Sequence, residues 1–186
     1  MATTTSFPTA VNDPSSTNAA NAFADDGTAT DLIFSTDSDI TWSSFSSLSI
    51  PGGATINGIE IIVEARGKAT PNLPEFSVYN GTSWSSTLAF SGTLTRFLTV
   101  YDPGWGSSSN LWGLSWDATT AAGIQIKVDN STLGSGRSWA CDFLKVKVTY
   151  TEASGYGHDV NSVGSSSIGK VNSVATANIG KVNSVD

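Results

Sequence analysis

Residues 56–67 read "INGIEIIVEARG". Ile59, Ile61, Val63 and Ala65 alternate with Glu60, Ile62, Glu64 and Arg66. That is the period-2 pattern of a strand with one buried face. The "IPGGATING" leading into it is rich in turn residues, and Gly67 closes the run. Two further stretches repeat the pattern. In "GIQIKVDN" (123–130), Ile124, Ile126 and Val128 share one face and Gln125, Lys127 and Asp129 the other. In "FLKVKVTYT" (143–151), Leu144, Val146, Val148 and Tyr150 face in, while Lys145, Lys147 and Thr149 face out.

Outward from these three, shorter strands are expected at 32–34, 40–45, 76–79, 88–90, 97–101 and 111–116, separated by Gly, Pro, Asn and Ser loops. The pattern predicts an all-β fold, an antiparallel two-sheet β-sandwich of jelly-roll type. No amphipathic stretch reaches ordinary helix length, although "DATTAAG" (117–123) could form one turn. Residues 1–24 are Thr, Ser, Ala and Asn with two prolines and no periodicity. They are expected to form an extended N-terminal arm, ordered only if something holds it. The sandwich is assigned to 25–152, and 153–186 to a C-terminal assembly segment.

At 186 residues the chain can bury one substantial core. Hydrophobic residues make up 39% and charged residues only 13%, so Ser, Thr, Asn and Gly carry the polarity. A formal charge of −7 with scattered Lys and Arg offers no patch to neutralise phosphates, which argues against a nucleic-acid partner. The start "MATTTSFPTAVNDP" lacks the basic and apolar regions of a signal peptide, and no apolar run is long enough to span a bilayer. A membrane association is therefore not expected. Cys141 is the only cysteine, so no intrachain disulfide can form.

The usual catalytic constellations are not found. His158, the only histidine, lies in the Gly-rich "SGYGHDV", outside the expected sandwich. Any Ser-His-Asp or Cys-His device would have to pass through it. A His- or Cys-based zinc site lacks ligands. "GWGSSSN" (104–110) lacks the Lys and helix of a phosphate loop. Glu60 and Glu64 share one strand face, but such pairs more often mark a solvated surface than the cleft of a glycosidase. "DDGTATD" (25–31) and "STDSDI" (35–40) have the composition of calcium loops. EF-hand spacing is absent and acidic turns are common, so no metal and no other cofactor is assigned. "NGT" at Asn80 and "NST" at Asn130 match the glycosylation acceptor and read most simply as turns. No enzymatic activity is expected.

Six tryptophans invite a different question. Exposed Trp rings stack on sugars, whereas buried ones fill cores. Trp112, Leu114 and Trp116 alternate and are expected to pack inward from a strand. Trp105, in a Gly-Ser stretch, is the candidate for exposure and hence for a glycan contact.

The chain ends in "IGKVNSVATANIGKVNSVD". Ile168 to Val174 recur unchanged at Ile179 to Val185, and a degenerate copy, "GHDVNSV", precedes them. The VNSV unit thus begins at Val160, Val171 and Val182, with a period of eleven residues. Gly, Val, Asn and Ser are poor helix formers, so an eleven-residue helical coil is not expected. Ile168, Val171 and Val174 are spaced by three, so one flat strand cannot place them all on one face. Burying three aliphatic groups is worth roughly 5–8 kcal/mol, against roughly 7–14 kcal/mol of backbone entropy for ordering seven residues. One repeat alone is expected to stay disordered and to gain order on a partner. The expected assembly residues are Val160, Val163, Ile168, Val171, Val174, Ile179, Val182 and Val185.

"IPGGATINGIEIIVEARG", "LWGLSWDATTAAGIQIKV" and "WACDFLKVKVTYT" together resemble a β-sandwich module of tailed-bacteriophage structural proteins, over about residues 25–151. The "IGKVNSV" units resemble segments of phage virion and fibre proteins of the form "I-KVNGV"; Ser173 and Ser184 stand where that form has Gly. The resemblance implies a non-enzymatic virion protein, assembled in a host cytoplasm and displayed as a β-sandwich attached through its terminal segments. A head decoration (cement) protein or a small neck or tail fibre fits best. The implied partners are further copies of the chain, as a homotrimer, and other virion proteins of capsid, neck or tail. The rival expectation is an adhesin that binds host surface glycans through Trp105.

Overall fold

The structure, a computed structural model, describes residues 1–12, 19–27, 30–33, 39–67, 74–90, 92, 94–129, 138–153, 170–171 and 174–175. In chain order the elements are β1 (Ala2–Ser6), β2 (Ala10–Asn12), a 3-10 turn (Ala19–Ala22), β3 (Thr30–Ile33), β4 (Ile40–Ser43), β5 (Thr55–Gly67), β6 (Glu75–Tyr79) and β7 (Leu88–Ala89). They continue with β8 (Thr99–Ser107), α1 (Ala118–Ala122), β9 (Gln125–Asp129), β10 (Ser138–Thr151), β11 (Lys170–Val171) and β12 (Val174–Ala175).

Two antiparallel five-stranded sheets form the body, an all-β two-sheet sandwich. One has the order β1-β10-β5-β8, with β3 also on β10; the other has the order β2-β4-β9-β6-β7. From β3 to β10 every connection crosses between the sheets except the β6–β7 hairpin. The core lies between the inner faces. Ile59, Ile61, Val63 and Ala65 of β5 and Leu144, Val146, Val148 and Tyr150 of β10 meet Ile40, Trp42, Phe76, Val78, Ile126 and Val128 of the opposing sheet. The three period-2 stretches thus turn inward the residues their alternation predicts. The other face of β5 is covered as well: Glu60 and Ile62 are buried.

β10 carries an irregularity with consequences. Trp139 and Cys141 belong to the core before it, and Leu144, Val146 and Val148 after it, so the inward parity changes. The ladder shows why. Cys141 pairs with Ala65 and Phe143 with Glu64, leaving Asp142 as the extra residue of a β-bulge. A bulge re-aims the inserted side chain and bends its strand.

The N-terminal arm is held by both sheets, which corrects the boundary at residue 25. Residues 2–6 pair with β10, from Ala2–Tyr150 to Ser6–Val146. Residues 10–12 pair with β4, from Ala10–Ser43 to Asn12–Thr41. The Ser6 and Thr4 hydroxyls accept hydrogen bonds from the backbone N–H of Ser47 (3.1 Å) and Ser49 (3.4 Å). Thr and Ser suit an edge strand whose hydroxyls also tie down a neighbouring loop. The sandwich therefore begins at Ala2.

Residues 111–116 do not form the expected strand. Trp112 and Gly113 both take positive φ (57° and 71°), which ends any ladder. Asn110 Oδ1 instead accepts from the Trp112 N–H at 2.7 Å, and the Leu111 carbonyl accepts from the Leu114 N–H (3.0 Å) and Trp116 Nε1 (2.9 Å). Trp112 is still buried, with Nε1 donating to the Ile59 carbonyl at 2.9 Å. The single turn at 117–123 forms as α1, capped by reciprocal hydrogen bonds between Asp117 and Thr120. No helix among the described residues is long and apolar enough to cross a membrane.

Candidate functional site

Trp105 is not a surface ring, and the expectation of exposure is corrected. It is 2% exposed, donates from Nε1 to the Pro74 carbonyl at 3.2 Å, and packs on Phe76 (4.5 Å) and Phe90 (5.0 Å). The Gly-Ser stretch around it is the end of β8, where Trp105 pairs with Ile61. Gly106 explains the composition. Its φ is +78°, and a Cβ there would overlap the Ile59 carbonyl oxygen. Glycine lets β8 close on β5; it does not mark a loop.

The exposed tryptophan is Trp84, at 39%. Its ring lies 5.2 Å from that of Tyr79, tilted by 37°, and Lys127 Nζ stands 5.2 Å above it. The same ammonium is 3.0 Å from Asp39 Oδ2.

Of the assembly residues, Val171 and Val174 are described, and they are cross-strand partners in the β11–β12 hairpin, next to the pair Lys170–Ala175. Val160, Val163, Ile168, Ile179, Val182 and Val185 lie outside the described residues, as do His158 and Asn130. The VNSV unit thus folds back and sets its two valines opposite each other in the ladder, a register that a single flat strand could not give.

Asn80 behaves as a turn residue: its Oδ1 accepts from the backbone N–H of Thr82 (3.0 Å) and Ser83 (2.9 Å). Glu60 and Glu64 lie on the same face of β5 but have different surroundings. Glu60 is buried and ion-paired with Lys147 at 3.1 Å.

Glu64 belongs to a constellation that pattern reading did not assemble. Asp25, Glu64 and Asp142 each bring a carboxylate oxygen to within 4.8 Å of the others. Three local features build the cluster. The bulge places Asp142 beside Glu64. Along the far edge of β10, β1 stops at Val146 and β3 begins at Cys141, and an isolated Phe23–Phe143 bridge brings the chain into the gap. Gly27, at φ 74°, then turns so that its N–H donates to Asp142 Oδ2 at 3.1 Å. Asp142 is fully buried, and its Oδ1 accepts no hydrogen bond among the described residues.

Burial raises the pKa of Glu64, with Asp142 next through a shared hydrogen bond and its charge, and then Asp25. Two ionised carboxylates cannot hydrogen-bond to each other. Their repulsion at such a separation is on the order of 3–4 kcal/mol at an effective dielectric near 20. Such a pair must share a proton or meet a cation. The sequence signals for the site were the calcium-loop composition of residues 25–31, which include Asp25, and the parity change between Cys141 and Leu144.

Compared with known proteins, the chain matches no protein family, no curated protein and no solved structure.

Proposed function

We propose that the protein is a non-enzymatic structural component of a tailed-bacteriophage virion, a surface-displayed β-sandwich anchored through its C-terminal repeats. The observation that carries this reading is the VNSV hairpin. A two-stranded hairpin is at best marginally stable alone in water. This unit is repeated at an eleven-residue period, and Val171 opposes Val174. Repetition of a unit too small to cover its own apolar residues is what stacking on further copies, or on a lattice partner, requires. A homotrimer bound to capsid, neck or tail proteins is the state proposed, in the role of a head decoration protein or small fibre. The interleaved strand order, β3-β10-β5-β8 against β4-β9-β6-β7, supports a jelly-roll reading of the sandwich. With residues 1–12 built into both sheets, the anchoring role falls to the C-terminal segment rather than to both ends.

The test is the solution mass of the full chain and of a truncation ending at Glu152. A trimeric full chain with a folded monomeric truncation supports the reading. If both are monomers and the full chain also fails to bind purified virion shells, the repeat is not an assembly device.

Trp84 supports a second reading, a glycan-binding adhesin. Its exposed ring, stacked near Tyr79 beneath Lys127, is a surface on which a sugar could lie. Loss of binding to bacterial surface polysaccharides in Trp84→Ala, with folding unchanged, would favour it. No binding by the wild type would remove it.

A further inference from the structure

We infer that Asp25, Glu64 and Asp142 bind one calcium ion, which fastens the chain after the 3-10 turn to the middle of the β1/β3/β10/β5/β8 sheet. The inference does not depend on the repeats, because all three ligands belong to the sandwich.

The donor set is all oxygen and carries three negative charges. The nearest sulfur is turned away: the Cys141 side chain is buried in the core and donates to the Phe143 carbonyl at 3.2 Å. Hard oxygen ligands select calcium or magnesium over zinc or copper. Calcium takes six to eight oxygens at about 2.3–2.6 Å, so opposite ligands stand about 4.8 Å apart; magnesium's shell is near 4.1 Å across. The oxygens of this cluster fall within 4.8 Å of one another, close enough for one ion to reach all three, and calcium's larger, more irregular shell accepts carboxylates from three separate segments more readily than magnesium's octahedron.

The observation that points to a ligand is Asp142 itself. It is 0% exposed, its Oδ2 is engaged by Gly27 N–H, and Oδ1 has no donor among the described residues apart from any proton it shares with the Glu64 carboxyl. An ionised carboxylate so buried and half satisfied is costly to hold without a counter-charge. No lysine or arginine is ion-paired with Asp142 among the described residues; the described ion pairs join Lys127 to Asp39 and Lys147 to Glu60 and Asp102. Calcium would take Oδ1 from Asp142, one or both oxygens from Glu64, and one or both from the exposed Asp25. Water and backbone carbonyls would complete the shell.

The test uses the full chain, stripped with chelator and titrated with calcium chloride and, separately, magnesium chloride by calorimetry. Thermal melting is followed in parallel. One calcium per chain is expected, with a clear rise in Tm and at least tenfold weaker magnesium binding. Asp25→Asn, at an exposed position, should bind calcium at least tenfold more weakly and remain folded. Glu64→Gln should lose the calcium response, yet its metal-free form should melt higher than the metal-free wild type, because it removes repulsion. If millimolar calcium gives neither heat nor a Tm shift, and Glu64→Gln melts higher with or without calcium, the carboxyls share a proton and the inference is overturned.

Discussion

Lys147 reaches from β10 across to β5 and sets its ammonium 3.1 Å from Glu60 Oε2, with Asp102 Oδ1 of β8 at 3.6 Å on the other side. Three neighbouring strands are thereby tied on the face turned away from the core. The Glu60 side chain is 5% exposed and that of Lys147 26%, so the pair is largely shielded from screening. Desolvation works against the ammonium, yet its pKa is raised because the hydrogen bond and charge of Glu60, with Asp102 behind it, outweigh that cost.

Removing the lysine leaves Glu60 covered without its counter-charge. Lys147→Met is therefore expected to destabilise the fold by about 3 kcal/mol, whereas the double change Lys147→Met with Glu60→Met recovers most of that loss. Urea unfolding of the two variants at neutral pH tests this. Equal loss in both would mean that packing of the lysine stem, and not the charge pair, carries the effect.

The two contrasting tryptophans yield a prediction about stability. Trp105→Ala empties a site enclosed by Phe76 and Phe90 and strands the Pro74 carbonyl. A loss of about 3–5 kcal/mol is expected. Trp84→Ala, at a ring 39% exposed, should cost less than about 1 kcal/mol. Thermal melts of both proteins suffice, and similar losses would mean that Trp84 is as structural as Trp105.

Glu64 makes stability depend on pH with an unusual sign. Its pKa is raised, so the folded chain holds the proton at pH values where the unfolded chain has already released it. The folded state then carries more bound protons, and the contribution of this group falls as pH rises from its ordinary value of 4.5 upward. The charged groups acting on it are anions, Asp142 from β10 and Asp25 from the chain ahead of β3; the residue opposite on β8 is the apolar Val100. Without metal, wild type should lose stability relative to Glu64→Gln over that window, followed as the difference in urea midpoints between about pH 4 and pH 7. A difference that stays constant, or that changes in the wild type's favour, would contradict the raised pKa.

How much of this was legible beforehand follows the chemistry of each segment. β9, the run from Ile59 to Ala65 in β5 and the second half of β10 alternate without a break, and their inner faces are the ones expected. β8 was legible only in its first part. Asp102, Pro103 and Gly104 intervene between Tyr101, which pairs with Val63, and Trp105, which pairs with Ile61, so the alternation is interrupted and the Trp resembles a loop residue. The arm lacked apolar periodicity because β1 holds its place by backbone pairing and hydroxyl bonds rather than by a greasy face. The carboxylate cluster could not be assembled from spacing, since Asp25 and Asp142 meet only through the fold. The parity slip at Asp142 announces a bulge, but nothing in it names the partners.

The hairpin of the repeat is the last place where sequence and geometry can be set against each other. Val171 pairs with Val174, and only Asn172 and Ser173 separate them in the chain. Two-residue hairpin connections favour Asn-Gly, because both central residues need positive φ. Glycine is the residue for which a positive φ carries no steric penalty. Ser173→Gly with Ser184→Gly should strengthen the β11–β12 hairpin and, if the repeat units are the assembly grips, shift the oligomer to lower dissociation concentrations. Val171→Asn with Val182→Asn should shift it the other way while the sandwich melts unchanged, since β11 pairs with β12 and with no strand of the two sheets. Sedimentation equilibrium across a dilution series reads both. Movement in opposite directions ties assembly to the hairpin; an equilibrium unmoved by either pair would place the subunit contacts elsewhere in the chain.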